Sequence, residues 1–335
     1  MKIIIFAPTS TDINNKILGG ADQQLKKLFQ VLKKQAHKTT LYTSTKINKL
    51  GIYNFMEAYK QKLECDLLIV YRKAIVLPNI KTKYKIFYSQ DRVDTPCFDS
   101  IREHPKYLEQ FDKIICLSNN HAEHLKQELG LTQTITIIGN STEKVKQSKQ
   151  KTQDFIYCSA PHKALIPLAL IWKQLSPLYP KSKLHIYSSY KLYGNKELDK
   201  KYKNFEKIKK LKNVVWHGAK NRKEMLKQLN KSKLMLAPHT YPETYGNVFN
   251  EAKSYLVPVI TTDIGSAKEV LDKNGITIKG NAYSEKYQQK FLTEVVACME
   301  SIFYYRNLQR VSRYRTHKDY EKDIIKLIKG VEKNV

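Results

Sequence analysis

The chain has 335 residues, 41% of them apolar, and a formal charge of +28, with 59 Lys and Arg against 31 Asp and Glu. That length exceeds what one compact core usually holds and points to a globular protein of two domains. The charge is no detachable basic tail, because residues 1–150 carry 24 basic and 14 acidic groups and residues 151–335 carry 35 and 17; it favours an anionic partner, whether nucleic acid, an acidic membrane surface or a phosphorylated ligand.

In chain order, KIIIF at 2–6 predicts a buried first strand. Residues 21–35 then place Leu25, Leu28, Phe29 and Leu32 on one helical face. Further strands fit TTLYTS, CDLLIVY, YKIFYS, KIICLS and TITII, with a helix over NNHAEHLKQEL that stops at Gly130. Runs without strict alternation suit a parallel sheet covered on both faces. Residues 140–153 are polar and charged and read as a linker. A second series follows, with strands over DFIYCS, KLHIYSS, NVVWHG, KLMLAP and VPVITTD. Helices fall between them, over HKALIPLALIWKQL, KELDKKYKNFEKIKKL, RKEMLKQL and NVFNEAKSYL. A helical tail over 283–333 is expected to break near Arg315 and Thr316. The lysine-rich stretch 196–212 reads either as a solvated helix face or as a patch for anionic lipid. The expected domains are 1–145 on the acceptor side, 146–315 on the donor side, and a terminal helix over 316–335 that packs back on the first domain.

Five cysteines, an odd number without a C-x-x-C pair, argue for a reducing compartment and against structural zinc. The start, MKIIIFAPTS, is too short for a signal segment and is broken by Pro8. Apolar runs such as ALIPLALIW fall far below the ~20 residues that span a bilayer. A cytoplasmic protein is expected, soluble or peripheral on a membrane surface.

The densest chemistry lies in TYPETYGNVFNEAKSYLVPVITTD at 240–263. Here an apolar strand gives way to a helix through a loop holding Glu243 and Gly246, and Glu251 lies just over one turn into the helix. Helix starts offer unpaired N–H groups and positive dipole character. Gly246, without a Cβ, lets an anion approach the amides of Asn247, Val248 and Phe249. Ionised Glu243 and Glu251 suit hydroxyl groups on either side of that anion. A molecule with hydroxyls flanking a diphosphate is a nucleotide-sugar. Taken by spacing alone, the same glutamates also fit surface carboxylates near a turn.

PETYGNVFNEA followed by PVITTDIGSAKE resembles the paired-glutamate signature of retaining GT-B glycosyltransferases of the family-4 type, the glycosyl transferases group 1. KIIIFAP with Gly19 and Gly20, KIICLSNNHAEHL, FIYCSAPHKALIPL and VVWHGAKNRKEMLKQLNKSKLMLAP resemble further parts of that family, so the likeness spans nearly the whole chain. It implies an α/β GT-B fold, two doubly wound Rossmann-like domains facing across a cleft, with a C-terminal helical tail. It implies sugar transfer from a UDP- or GDP-sugar to a glycan, lipid-linked or other hydroxyl acceptor, with no metal and no cofactor beyond the co-substrate. Glu243 would hold the transferred sugar and Lys163 would neutralise the diphosphate. Gly246, Asn247 and Val248 would meet the donor phosphates, and Glu251 the ribose. Gly19 and Gly20 would let a loop close over the phosphates or acceptor. Lys220, Arg222 and His162 are further donor-side candidates.

Two departures stand out. Tyr157, Cys158 and Ser159 occupy the place of an arginine that often accompanies the lysine, and Arg222 is a candidate replacement. Gln90, followed by Asp91, stands where many members carry a histidine; both are candidates on the acceptor side. His217 and His239 lie at strand ends without partners at metal-ligand spacing. Two other readings stay open: an inactive GT-B-fold module that binds anionic membrane or nucleic acid, the latter disfavoured, and a sugar-nucleotide epimerase.

Overall fold

The apolar run at the start forms β1 (Lys2–Ala7), and the amphipathic stretch after it forms α1 (Gly20–Lys34). Strands β2 (Lys38–Thr43), β3 (Ile52–Asn54), β4 (Leu63–Tyr71) and β5 (Ile80–Tyr88) follow. Then come the short helix α2 (Asp99–Glu103), β6 (Lys113–Cys116), α3 (Asn119–Leu129) and β7 (Ile135–Ile137). Gly130 ends α3 at φ +64°, a left-handed cap that a side chain would strain. These seven strands form one parallel sheet in the order β3-β2-β1-β4-β5-β6-β7.

The second series runs β8 (Phe155–Tyr157), α4 (Pro161–Leu178), β9 (Leu184–Ile186), α5 (Lys196–Lys201), α6 (Asn204–Lys209) and β10 (Val214–Trp216). It continues through α7 (Arg222–Lys231), β11 (Leu234–Ala237), α8 (Asn247–Ser254), β12 (Val259–Thr262), α9 (Ala267–Leu271) and β13 (Gly275–Ile278). Helices α10 (Glu285–Glu300), α11 (Ile302–Arg310) and α12 (His317–Glu332) close the chain. The six strands form a second parallel sheet, β10-β9-β8-β11-β12-β13. This computed structural model describes residues 1–335 apart from 11, 16, 17, 46–50, 74, 76, 149, 194, 195, 203, 311 and 312. Its two units are Met1–Ser141 with Thr316–Val335, and Thr142–Arg315.

Each unit has its own core. In the first, Phe6, Leu68, Val70, Phe87 and Ile114 of the sheet pack with Phe98, Leu108 and Leu125. In the second, Phe155, Tyr157, Leu184, Leu234 and Ile260 pack under Leu168, Trp172, Phe291 and Val295. Burial on both sheet faces explains why the strands read as unbroken apolar runs.

The structure departs from the sequence-based elements in several places, the short helices α2 and α9 among them. β3 and β13 were not expected; both are short edge strands, and their few residues carry little period-2 signal. The single lysine-rich helix is two, α5 and α6. The tail breaks after Glu300 as well as before Thr316, because the Ser301 hydroxyl accepts the Tyr304 amide and starts a new helix. Thr316 and Asp319 form a reciprocal capping box that starts α12. From Thr142 onward the polar stretch read as a linker belongs to the second unit: Gln147 donates to the Ser254 carbonyl, and Lys151 to those of Asn230 and Tyr255.

Candidate active site

In the second sheet β8 and β11 are neighbours, yet the chain leaves β8 toward β9 and leaves β11 toward β12. The connections diverge at the carboxyl ends of this pair, which is where open parallel sheets receive ligands. Helix α4 starts just beyond β8 and α8 just beyond β11, so Lys163 and the loop 238–246 stand over adjacent strands.

A proline ties these two elements together. Pro167, within α4, has no N–H to offer the Lys163 carbonyl four residues back. That carbonyl accepts instead from the Thr240 amide at 2.7 Å and from the Thr240 hydroxyl at 3.1 Å. On the other side, Gly265 lets the loop after β12 approach Glu243. A Cβ on Gly265 would lie 2.6 Å from the Glu243 backbone nitrogen and oxygen, and its φ is +59°. The Ser266 amide then donates to the Glu243 carbonyl at 2.9 Å. Glu243 is thus clamped at its backbone between α4 and the loop after β12.

The Glu243 carboxylate accepts from Lys163 Nζ at 2.6 Å, with the two side chains 12% and 18% exposed. Burial raises its pKa, but the Lys163 ammonium and His239 outweigh that, and the group settles below its ordinary value. Lys163 Nζ also lies over the Tyr241 ring, 5.5 Å from its centre. His239 is buried beneath, its ring edge-on to Tyr157 and tilted against Phe249, with Nδ1 3.7 Å from Glu243 Oε1.

Gly246 is the N-cap of α8 at φ +72°, and a Cβ there would lie 2.5 Å from the Phe249 ring. Backbone conformation and the Phe249 ring therefore call for a glycine at 246 whether or not a ligand approaches it. The Phe249 amide donates to the Gly246 carbonyl at 2.9 Å, so of the three amides expected to face an anion, this one is taken. Asn247 and Val248 form the first turn of α8. Glu251 is only 3% exposed and is ion-paired through Oε1 to Arg222, the first residue of α7. Among the described residues its Oε2 has no hydrogen-bond partner. Burial raises the Glu251 pKa and prevails over the guanidinium. The two glutamates are therefore held by separate cations and shifted in opposite directions.

His162, exposed, stacks on Tyr190 at 6.0 Å between ring centres and meets Tyr241 edge-on. Lys220 is exposed and lies 3.8 Å from Glu224 rather than beside the carboxylates. The remaining candidates belong to the first unit. Gly19 is the N-cap of α1 with φ −66°, and Gly20 is its first residue, so neither adopts a left-handed conformation. Gln90 is buried and its Oε1 accepts from Asn140 at 3.4 Å. Asp91 makes a two-pronged pair with Arg72, at 2.6 and 3.2 Å. Arg72 sits at φ +73°, and nothing in the sequence pattern singled it out. Among the described residues no three His, Cys, Asp or Glu side chains are grouped to hold a metal ion. No helix among them is long and apolar enough to cross a membrane.

Residues 142–300 match the family model for glycosyl transferases group 1. No curated protein matches the chain in sequence. Among solved structures the chain is similar to a sucrose-phosphate synthase from Thermosynechococcus elongatus, with TM-score 0.77, 11% identity and 100% of both chains covered. It is similar to a glycosyltransferase from Rickettsia africae ESF-5, with TM-score 0.71, 12% identity and coverage of 100% of this chain and 99% of the other. It is also similar to WaaG, a glycosyltransferase involved in lipopolysaccharide biosynthesis, with TM-score 0.71, 14% identity and coverage of 98% and 100%. At such identities these likenesses show the fold, which is GT-B.

Proposed function

The chain is a GT-B protein whose second unit carries a glycosyl transferases group 1 domain, and from that premise we propose a retaining transfer of a sugar from a UDP- or GDP-sugar to a hydroxyl acceptor. The observation that carries this reading is the pair of buried carboxylates bracketing the start of α8, each with a cation beside it and one with an oxygen that has no partner among the described residues. A carboxylate oxygen without a donor at 3% residue exposure is costly unless a ligand hydroxyl reaches it. In this reading Glu251 takes the ribose hydroxyls and Glu243 those of the transferred sugar. The diphosphate lies over the Gly246, Asn247 and Val248 backbone, with Lys163 turning toward it.

The reaction breaks the bond from the anomeric carbon to the leaving phosphate oxygen and forms one to the acceptor oxygen on the same face. The acceptor proton passes to the leaving oxygen. Charge developing on the diphosphate is met by Lys163 and the helix start, groups already in place before reaction, and no divalent ion enters the scheme. Gln90 and Asp91 of the first unit are assigned to the acceptor. A lipid-linked acceptor at an anionic membrane fits the net charge of +28, and α5, α6 and the turn after α6 present exposed Lys200, Lys207, Lys209 and Lys210 for such contact. A thermal-shift screen of common nucleotide-sugars and their diphosphates tests the donor, expecting stabilisation by one base class. NMR of the product tests the stereochemistry. No stabilisation by any nucleotide, with salt-sensitive binding to polyanions instead, would favour the inactive binding module; release of a free altered sugar without acceptor would favour the epimerase.

A further inference from the structure

His239 is 1% exposed, and among the described residues neither of its ring nitrogens has a hydrogen-bond partner. An imidazole buried without partners forfeits the hydrogen bonds it makes in water, so its retention calls for a reason in a second state of the site. The geometry supplies one. Nδ1 faces Glu243 Oε1 at 3.7 Å, just beyond hydrogen-bond range, and that same oxygen is held by Lys163 at 2.6 Å. The charged or titratable groups facing the Glu243 carboxylate are Lys163, His239 and His162, and His162 stacks on Tyr190. His239 is held by packing alone, edge-on to Tyr157 and against Phe249, with its backbone amide donated to the Ala237 carbonyl. A shift of well under 1 Å closes its gap to Glu243.

We propose that His239 is a positioning residue that takes over Glu243 when Lys163 leaves it for the donor diphosphate. This rests on the donor reading above. In the structure the ammonium holds the carboxylate. When the diphosphate draws the ammonium away, Glu243 would be left ionised and largely buried without a donor, and free to rotate off the sugar. The Nδ1–H of neutral His239 then donates to Oε1 and fixes the carboxylate for the sugar hydroxyls. No proton changes owner in this exchange.

The test compares two substitutions of equal shape. His239→Asn places an amide N–H near the Nδ1 position, and His239→Leu places a methyl group there. The expected result is that His239→Leu lowers kcat about tenfold or more with donor KM changed less than about threefold, while His239→Asn keeps kcat within about threefold of wild type. Equal losses in both variants, or in neither, would overturn the proposal. A second measurement needs no turnover: in 15N-histidine spectra of the wild type, UDP or GDP should move the His239 Nδ1 resonance toward that of a hydrogen-bonded donor. A nucleotide that stabilises the protein but leaves this resonance in place overturns the exchange. Absence of both turnover and stabilisation in the unmutated protein is a different result, which overturns the donor reading itself and the exchange with it.

Discussion

Lys163 shows how much one side chain is asked to do. It anchors Glu243 and, in the proposed reaction, offsets the charge of the leaving diphosphate. Lys163→Ala and Glu243→Ala are each expected to lower turnover by about 100-fold or more, with circular dichroism and Tm near those of the wild type. Near-normal steady-state rates in both would remove them from the chemistry. The buried histidines make a separate prediction about stability. His239 and His121 are both pushed down to about 4 from an ordinary 6.5, chiefly by burial. The unfolded chain therefore takes up protons that the folded chain refuses. Their contribution is full above pH 6.5 and is lost as pH falls toward 4. Urea unfolding at stepped pH should show stability dropping across this window, and His239→Leu should flatten part of the slope. A variant with an unchanged slope would show that His239 is not a neutral buried group.

At the scale of elements, the site depends on two backbone devices. Pro167 leaves the Lys163 carbonyl to Thr240, joining α4 to the loop that bears Glu243. Pro167→Ala restores a competing N–H inside the helix. Turnover should fall roughly three- to tenfold through misplacement of Glu243, while Tm stays within a few degrees. An unchanged kcat/KM would show that the Thr240 bonds alone hold the loop. Gly265 allows the second clamp, where any Cβ meets the Glu243 backbone. Gly265→Ala should destabilise by about 2–4 kcal/mol, combining the left-handed strain with a backbone clash, and chemical unfolding would report it. A loss below about 1 kcal/mol would mean the loops separate easily.

Across the whole molecule, charge and fold serve different ends. The net charge of +28 is spread over both units and is not needed to explain either core. If the exposed lysines of α5 and α6 contact an anionic membrane as proposed, co-sedimentation with vesicles rich in anionic lipid should be strong at low salt and weaken steeply with added salt. Lys207→Glu with Lys210→Glu should weaken it further without changing nucleotide-induced stabilisation. Binding to neutral and anionic vesicles alike would refute the electrostatic contact. Chelation supplies another check at this scale: the proposed scheme draws its countercharge from Lys163 and the α8 start, so turnover should persist in excess chelator.

What the sequence determined by itself is the alternation of short apolar runs with amphipathic stretches, and with it the α/β class and most of the strands. That pattern is local, repeating every two residues in strands or every 3.6 in helices, and single stretches such as KIIIFA or ADQQLKKLFQVLKK carry it. The short edge strands β3 and β13 escaped because three or four residues hold too little of it. The neighbourhood of Glu243, Gly246 and Glu251 was also legible, since one loop and one helix bring them together. Pro167 stands four positions after Lys163, but nothing local says which group receives the carbonyl it frees. Tertiary structure alone decided the partners. Lys163 meets Glu243 across 80 positions and Arg222 meets Glu251 across 29, and both pairings follow from the strand order β10-β9-β8-β11. Arg72 beside Asp91, the buried His239, and the Phe249 ring that requires a glycine at 246 were likewise hidden. Periodicity specifies which face of a segment turns inward; which other segment it meets there depends on how strands from distant parts of the chain order themselves in the sheet.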